Sequence, residues 1–202
     1  MKTIYLIRHG ECISNHENIF IGHSQDPPLT RTGIQQVNKL TKAFKGMKTS
    51  AIISSTSLRA QQTAAIISES LCQPFTTSKA LMELNLGILD NKDIGNPGYL
   101  SMFKDMVNNW EAGYGEVSIS GGESLIDVNG RLLSFMENNI LNKSTDKPTL
   151  LIGHAISWMC FIWKNCRNNP TTINGGFMDK ASYSIIKWDE RGFFIHSLNI
   201  TP

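Results

Sequence analysis

Tyr5-Leu6-Ile7-Arg8-His9-Gly10 is a short apolar run that ends abruptly in Arg-His-Gly. Ile4–Ile7 has the length and apolar character of a buried strand. A second stretch, Leu150-Leu151-Ile152-Gly153-His154, has the same form. Each reads as a strand that delivers an imidazole at its carboxyl end, the edge where open α/β sheets bind ligands.

Helical periodicity alternates with such runs. Residues 32–45 predict a helix with Ile34, Val37, Leu40 and Phe44 on its apolar face. Ala51-Ile52-Ile53 predicts a second strand, and 58–71 a second helix carrying Ala64, Ala65, Ile66 and Ile67. Residues 123–141 predict a third helix through Leu125, Val128, Leu132, Phe135, Met136 and Ile140, and 155–164 a fourth. Tyr183–Trp188 and Phe193–Leu198 predict two late strands joined by a turn at Asp189–Gly192. The order predicts an α/β fold, a three-layer α/β/α sandwich with a mostly parallel central sheet. Residues 85–122, rich in Gly and Asn, show no clear period and are expected to form an irregular insertion, a lid over the active site. Residues 1–202 are expected to form one domain.

Composition narrows the function. The chain has 202 residues, 41% hydrophobic and 18% charged, an ordinary globular balance. Nineteen basic against 17 acidic residues give a net charge of +2, without the concentrated basic face of a nucleic-acid binder. The opening apolar run is too short for a signal peptide, and no stretch is long enough to span a bilayer. Cys12, Cys72, Cys160 and Cys166 form no CxxC pair and no zinc-ligand spacing with histidine, so free thiols in a reducing compartment are expected. The expectation is a cytoplasmic protein with no nucleic-acid or membrane partner. A homodimer is compatible with the sequence, which does not set the oligomeric state.

The two strand-end histidines suggest a chemistry. A neutral imidazole can attack phosphorus and form a covalent phosphoenzyme. The phosphoryl oxygens then need charge, and the planar fork of arginine suits them. Arg8 is one such clamp. Arg59, just past the second strand in the first turn of a helix, is another. Gly10 would let the backbone approach the phosphate, and N–H groups in the turn after His9 would add donors. A proton donor is needed for the leaving alkoxide. Glu83, in the apolar patch Leu81-Met82-Glu83-Leu84, and Glu11 are both candidates on residue chemistry alone.

Six motifs, in order, resemble those of the histidine phosphatase superfamily, the phosphoglycerate-mutase-like enzymes. They are Leu6-Ile7-Arg8-His9-Gly10-Glu11 with Asn15, and Asp26-Pro27-Pro28-Leu29-Thr30 with Gly33 and Gln36. Next come Ser54-Ser55 with Arg59-Ala60 and Gln62-Thr63-Ala64, then Leu81, Glu83 and Gly87. Gly121-Gly122-Glu123-Ser124 and Ile152-Gly153-His154 complete the set. The resemblance implies that His9 is the phosphorylated nucleophile and that Arg8, Arg59 and His154 hold the phosphoryl group. It implies Glu83, rather than Glu11, as proton donor and Asn15 as a further phosphate contact. It also implies that no metal or other cofactor is needed; a small-molecule phosphomonoester is the expected substrate, with sugar phosphates, phosphoglycerates, nucleotide-derived phosphates and phosphoprotein all open.

The chain departs from the pattern in places. Cys12 stands where Ser is common. One extra residue lies between Gly22 and Asp26. After Glu83 the chain lacks a Trp-Glu-Gly found in many phosphatase members, and Leu86 stands where the glycolytic mutases carry Tyr. Hydrolysis is therefore the expected reaction, with mutase-type phosphoryl transfer as the alternative and an inactive binding module as a third reading. Residues 85–122 and 14–25 are expected to select the substrate. His23, Lys92, Tyr99, Tyr114 and Arg31 read as ordinary surface or packing residues, and Trp110, Trp158 and Trp163 as packing.

Overall fold

The computed structural model describes residues 1–202, apart from the side chain of His16. Six strands form one sheet: β1 (Lys2–Arg8), β2 (Ala51–Ser55), β3 (Thr76–Ser78), β4 (Thr149–Gly153), β5 (Tyr183–Asp189) and β6 (Gly192–Ile200). Their spatial order is β3-β2-β4-β1-β5-β6. The pairings β3–β2, β2–β4 and β4–β1 are parallel, whereas β1–β5 and β5–β6 are antiparallel. The helices are α1 (Ile13–His16), α2 (Arg31–Phe44), α3 (Leu58–Leu71), α4 (Pro97–Glu111), α5 (Leu125–Met136) and α6 (Ala155–Asn165).

Alternation of side chains along a strand divides the core between the two faces of the sheet. Ile7, Ile52, Leu150 and Ile152 pack with Val37, Leu40 and Phe44 of α2 and Ala60, Ala64 and Ile67 of α3. Ile4, Leu6, Ile53 and Leu151 face the other way, against α4, α5 and α6. The central strands are buried on both faces, which is why they read as near-continuous apolar runs. Helix, sheet and helix make three layers. Among the described residues, no helix is long and apolar enough to cross a membrane.

Several expectations are corrected. Residues 85–122 are not irregular throughout, because they contain the 15-residue helix α4. Asn96 caps it by accepting from the N–H groups of Gly98 and Tyr99, Pro97 occupies its first turn, and Met106, Val107 and Trp110 are buried. The strand β3 was not expected, since its Thr-Thr-Ser sequence is mostly exposed and carries no apolar signal. Ile34 is 44% exposed, and Gly33 takes its place on the inner face of α2. The helix expected over 123–141 is α-helical only over Leu125–Met136 and widens into a π turn over Glu137–Leu141.

Two glycines mark close approaches. A Cβ on Gly33 would lie 2.0 Å from the Glu11 carbonyl oxygen, so α2 can approach the loop after β1 only through glycine. A Cβ on Gly10 would meet the Gly33 carbonyl oxygen at 2.7 Å and Val37 at 2.9 Å. Packing against α2 is thus sufficient reason for glycine at position 10.

Candidate active site

Strand order assembles the site. The neighbours β2, β4 and β1 all run parallel, so their carboxyl ends meet at one sheet edge. Arg8 pairs in register with Gly153, and the His9 N–H donates to the Gly153 carbonyl at 3.1 Å, bringing His9 and His154 level. Their ring centroids are 5.2 Å apart in an edge-on arrangement. Arg59 enters from the first turn of α3, directly after β2.

Two hydrogen bonds define the His9 tautomer. Nδ1 lies 2.7 Å from the Gly10 carbonyl oxygen, an acceptor, so Nδ1 carries the proton. Nε2 is left with its lone pair, and Arg59 Nε donates to it at 3.3 Å. Burial, reinforced by the charges of Arg59 and Arg8, holds the His9 pKa well below the ordinary histidine value. His9 is therefore a neutral imidazole with an unprotonated Nε2.

The arginines are the cations of the site. Arg59 is 1% exposed, and its Nη1 has no hydrogen-bond partner; Asp26 Oδ1 lies 3.7 Å away. Arg8 donates through Nη1 to the Met178 carbonyl at 2.6 Å and lies over the Phe177 ring, while its buried Nε has no partner. Burial works against the charge of both guanidiniums. Unpartnered buried donors on two cations, one of them in contact with an unprotonated nitrogen and both lining one cavity, suit an anion with several oxygens.

Glu83 is tied to the N-terminus of α6. Its Oε1 accepts from the N–H groups of Leu84 at 2.9 Å and Ser157 at 2.8 Å, with Ser157 Oγ also at 2.8 Å. Its Oε2 accepts from the Ile156 N–H at 3.1 Å. Oε1 is thus the more heavily bonded of the two oxygens. A carboxylate at a helix N-terminus also satisfies N–H groups that lack helical partners.

A cavity of ≈ 250 Å³ is lined by Arg8, His9, Asn15, Arg59 and Glu83, with apolar side chains over the remainder. His154 is set behind this lining: it is fully buried, its Nε2 lies 2.9 Å from Ser55 Oγ and 3.3 Å from Ser57 Oγ, and its Nδ1 has no partner. Burial and the Arg59 charge keep its pKa well below the ordinary value. Asn15 lines the cavity while its Oδ1 accepts from the Cys12 N–H at 3.3 Å and faces the Cys12 thiol at 3.2 Å. Glu11 is turned elsewhere, taking the Thr30 hydroxyl at 2.8 Å and Lys180 at 3.4 Å.

The expected backbone donors after His9 are engaged within the protein. Gly10 N–H bonds Thr63 Oγ1, Glu11 N–H bonds Gln36 Oε1, Cys12 N–H bonds Asn15, and Ile13 N–H bonds the Pro28 carbonyl. That turn supports the loop, and the arginines are left as the principal anion donors.

Several supporting residues received no individual role from sequence reasoning. Asp26 Oδ1 accepts the Leu58 N–H at 2.6 Å, fixing the start of the helix that carries Arg59. Arg131 of α5 donates to the carbonyls of Ala80 and Met82, each at 2.8 Å, and of Glu83 at 3.0 Å. Glu123 grips the same guanidinium at 2.8 Å and 3.0 Å and accepts the Asn85 N–H at 2.9 Å. His23 Nε2 donates to the Glu83 carbonyl at 2.7 Å, so it is a local support rather than an ordinary surface residue. Glu123 belonged to a recognisable motif, whereas Arg131 had only the look of a helix arginine.

Comparison with known proteins places the chain in a family and a fold. Residues 4–201 match the model of the histidine phosphatase superfamily, branch 1. A curated relative, "Probable phosphoglycerate mutase GpmB" of Yersinia pestis (strain Pestoides F), is 33% identical over 164 residues, covering 80% of this chain and 74% of that protein. Among solved structures, Bacillus stearothermophilus YhfR superposes with a TM-score of 0.81 at 26% identity, covering 98% of this chain and 96% of that one. The α-ribazole phosphatase of Shigella flexneri shares the fold, with a TM-score of 0.79 at 20% identity over 98% of this chain and 96% of its own.

Proposed function

The chain belongs to the histidine phosphatase superfamily, and from that premise we propose that it hydrolyses a phosphomonoester through a phosphohistidine on His9. The observation that carries this reading is the unprotonated Nε2 of His9 in contact with the buried Arg59, with unpartnered buried N–H groups on Arg59 and on Arg8, which lines the same cavity.

In the first step Nε2 attacks phosphorus, an N–P bond forms and the ester P–O bond breaks. Arg59 turns from Nε2 to the phosphoryl oxygens as they arrive, and Arg8 takes others. His154 Nδ1 and the Asn15 amide nitrogen supply further donors. The proton on Glu83 passes to the departing alkoxide. In the second step water attacks phosphorus, Glu83 takes its proton, the N–P bond breaks, and His9 and free phosphate are released. The anionic oxygens are held by fixed cations rather than by reorganising solvent.

Two experiments test this. The His9→Ala protein is expected to lose turnover of an aryl phosphate, and substantial residual activity would remove His9 from the mechanism. Rapid quenching with phosphorus-labelled substrate is expected to give acid-labile, base-stable label on His9; label on another residue reassigns the nucleophile.

The name of the Yersinia pestis relative favours a second reading, in which the same phosphohistidine passes its group to another hydroxyl. Against it stands Leu86, which is buried and lines the cavity without offering a hydroxyl. With 3-phosphoglycerate as substrate, isomerised product supports the mutase and free phosphate the hydrolase.

A further inference from the structure

The reaction geometry divides the space around Arg8 into two chambers. The ≈ 250 Å³ cavity contains both His9 and Glu83. A neighbouring hollow of ≈ 500 Å³ shares Arg8, Asn15, Ile19, Ile94 and Phe177 with it and adds Asn18, Gln36, Asp179 and Lys180, but includes neither His9 nor Glu83. In-line displacement puts the leaving oxygen opposite Nε2, and its proton must come from Glu83. The alcohol therefore extends into the first chamber and not into the polar hollow.

That chamber is walled by Phe20, Leu86, Ile94, Leu100, Phe103 and Ile156. Its charged and titratable lining residues are Arg8, His9, Arg59 and Glu83, all assigned to the phosphoryl end or to proton transfer. No further cation lines it among the described residues to receive a substrate carboxylate, and its only neutral polar side chain is Asn15. A sugar or a glycerate body would bury hydroxyls or a carboxylate against hydrocarbon, and unpaired polar groups are costly there. The volume lies just below that of pockets for drug-sized ligands, which span ~300–1,000 Å³.

We infer that the physiological substrate is the monophosphate of a small, uncharged, apolar alcohol, of the size of a branched five-carbon chain or a single ring. This rests on the assignment of His9 and Glu83 above.

The test uses the whole protein and primary alkyl phosphates, so that the reacting bond stays the same. Values of kcat/KM are measured for ethyl, propyl, butyl and 3-methylbutyl phosphate, and for glycerol 3-phosphate and 3-phosphoglycerate. A rise of about fourfold per added carbon is expected, the factor that corresponds to burying one methylene. The 3-methylbutyl ester is expected to exceed both polar esters by about a hundredfold. The Leu100→Arg protein is expected to lose at least tenfold on 3-methylbutyl phosphate and to gain on 3-phosphoglycerate. The wild-type series stands alone should that variant not fold. A flat series, or a preference for either polar ester while label still accumulates on His9, overturns the apolar class alone. Absence of turnover and of His9 label with every ester overturns the phosphatase reading, and this inference with it.

Discussion

At the scale of single residues, the site depends on what surrounds His9 more than on His9 itself. Arg59 touches Nε2 in the free protein and is positioned to bridge to phosphoryl oxygens, so its geometry matters as well as its charge. Arg59→Lys keeps the charge but loses the fork that reaches two acceptors at once. Its kcat/KM is expected to fall by about 10²-fold, roughly the effect of removing one oriented donor from a transition-state oxyanion site. Steady-state kinetics with an aryl phosphate checks this; a change of less than threefold would leave Arg59 a mere counter-charge. These candidate residues were legible because each lies at or just past the end of a strand: Arg8 and His9 close β1, His154 follows β4, and Arg59 lies just past β2. Strand order, which no single stretch reveals, is what makes neighbours of them. Reading each residue type separately misplaced the anion donors, because the N–H groups after His9 have acceptors from α2 and α3 that are distant in sequence.

At the scale of elements, the acid loop is held by a strap. Arg131 bridges from α5 to the carbonyls of Ala80, Met82 and Glu83, and Glu123 anchors the guanidinium from the Gly-Gly-Glu-Ser turn. Arg131 reaches no reacting atom and is a positioning residue. Arg131→Gln is expected to lower kcat about tenfold with KM within twofold, since misplacement by ~1 Å costs up to about 10²-fold. It should also steepen the dependence of rate on leaving-group pKa, because a misplaced acid helps poor leaving groups least. A uniform loss across leaving groups would make Arg131 merely structural. Tighter still is the contact of α2 with the loop after β1. Gly33→Ala puts a methyl 2.0 Å from the Glu11 carbonyl oxygen, and overpacking of this kind costs about 1–3 kcal/mol. In a chain of this length that corresponds to a Tm lower by roughly 2–12 °C, which a thermal melt resolves. The elements themselves were mostly legible: α3 and α6 announce themselves by period, and β1 and β4 by unbroken apolar runs. The helix α4 was not, because Gly and Asn crowd its approach, although Met106 and Trp110 lie at helical spacing. The strand β3 is mostly exposed, so burial left no mark on its sequence.

At the scale of the whole molecule, the site weakens the fold in acid. His9 and His154 are buried and unprotonated, each with a pKa well below the ordinary value, through burial first and the neighbouring arginine charge second. In the unfolded chain both imidazoles bind a proton below about pH 6.5, and in the folded chain they do not. The unfolded state then binds more protons, so stability falls as pH drops below about 6.5 until the folded pKa values are reached. Each histidine contributes up to about 1.4 kcal/mol per pH unit in that window. Melts from pH 8 to pH 4.5 are expected to show this decline, and His154→Asn a shallower one; equal slopes would mean that His154 does not titrate on unfolding. A bound anion reverses the pressure on His9 by offsetting the charges of Arg8 and Arg59. Sulfate keeps its charge across this range, so any pH dependence of its binding belongs to the protein. If it draws a proton onto His9, its affinity must rise as pH falls, since uptake of the proton and uptake of the anion are linked. The Tm increase given by a fixed sulfate concentration should therefore be larger at pH 5 than at pH 7.5, reading affinity through stabilisation of the folded state. The same increase at both values would separate the anion site from His9 and place it elsewhere on the surface.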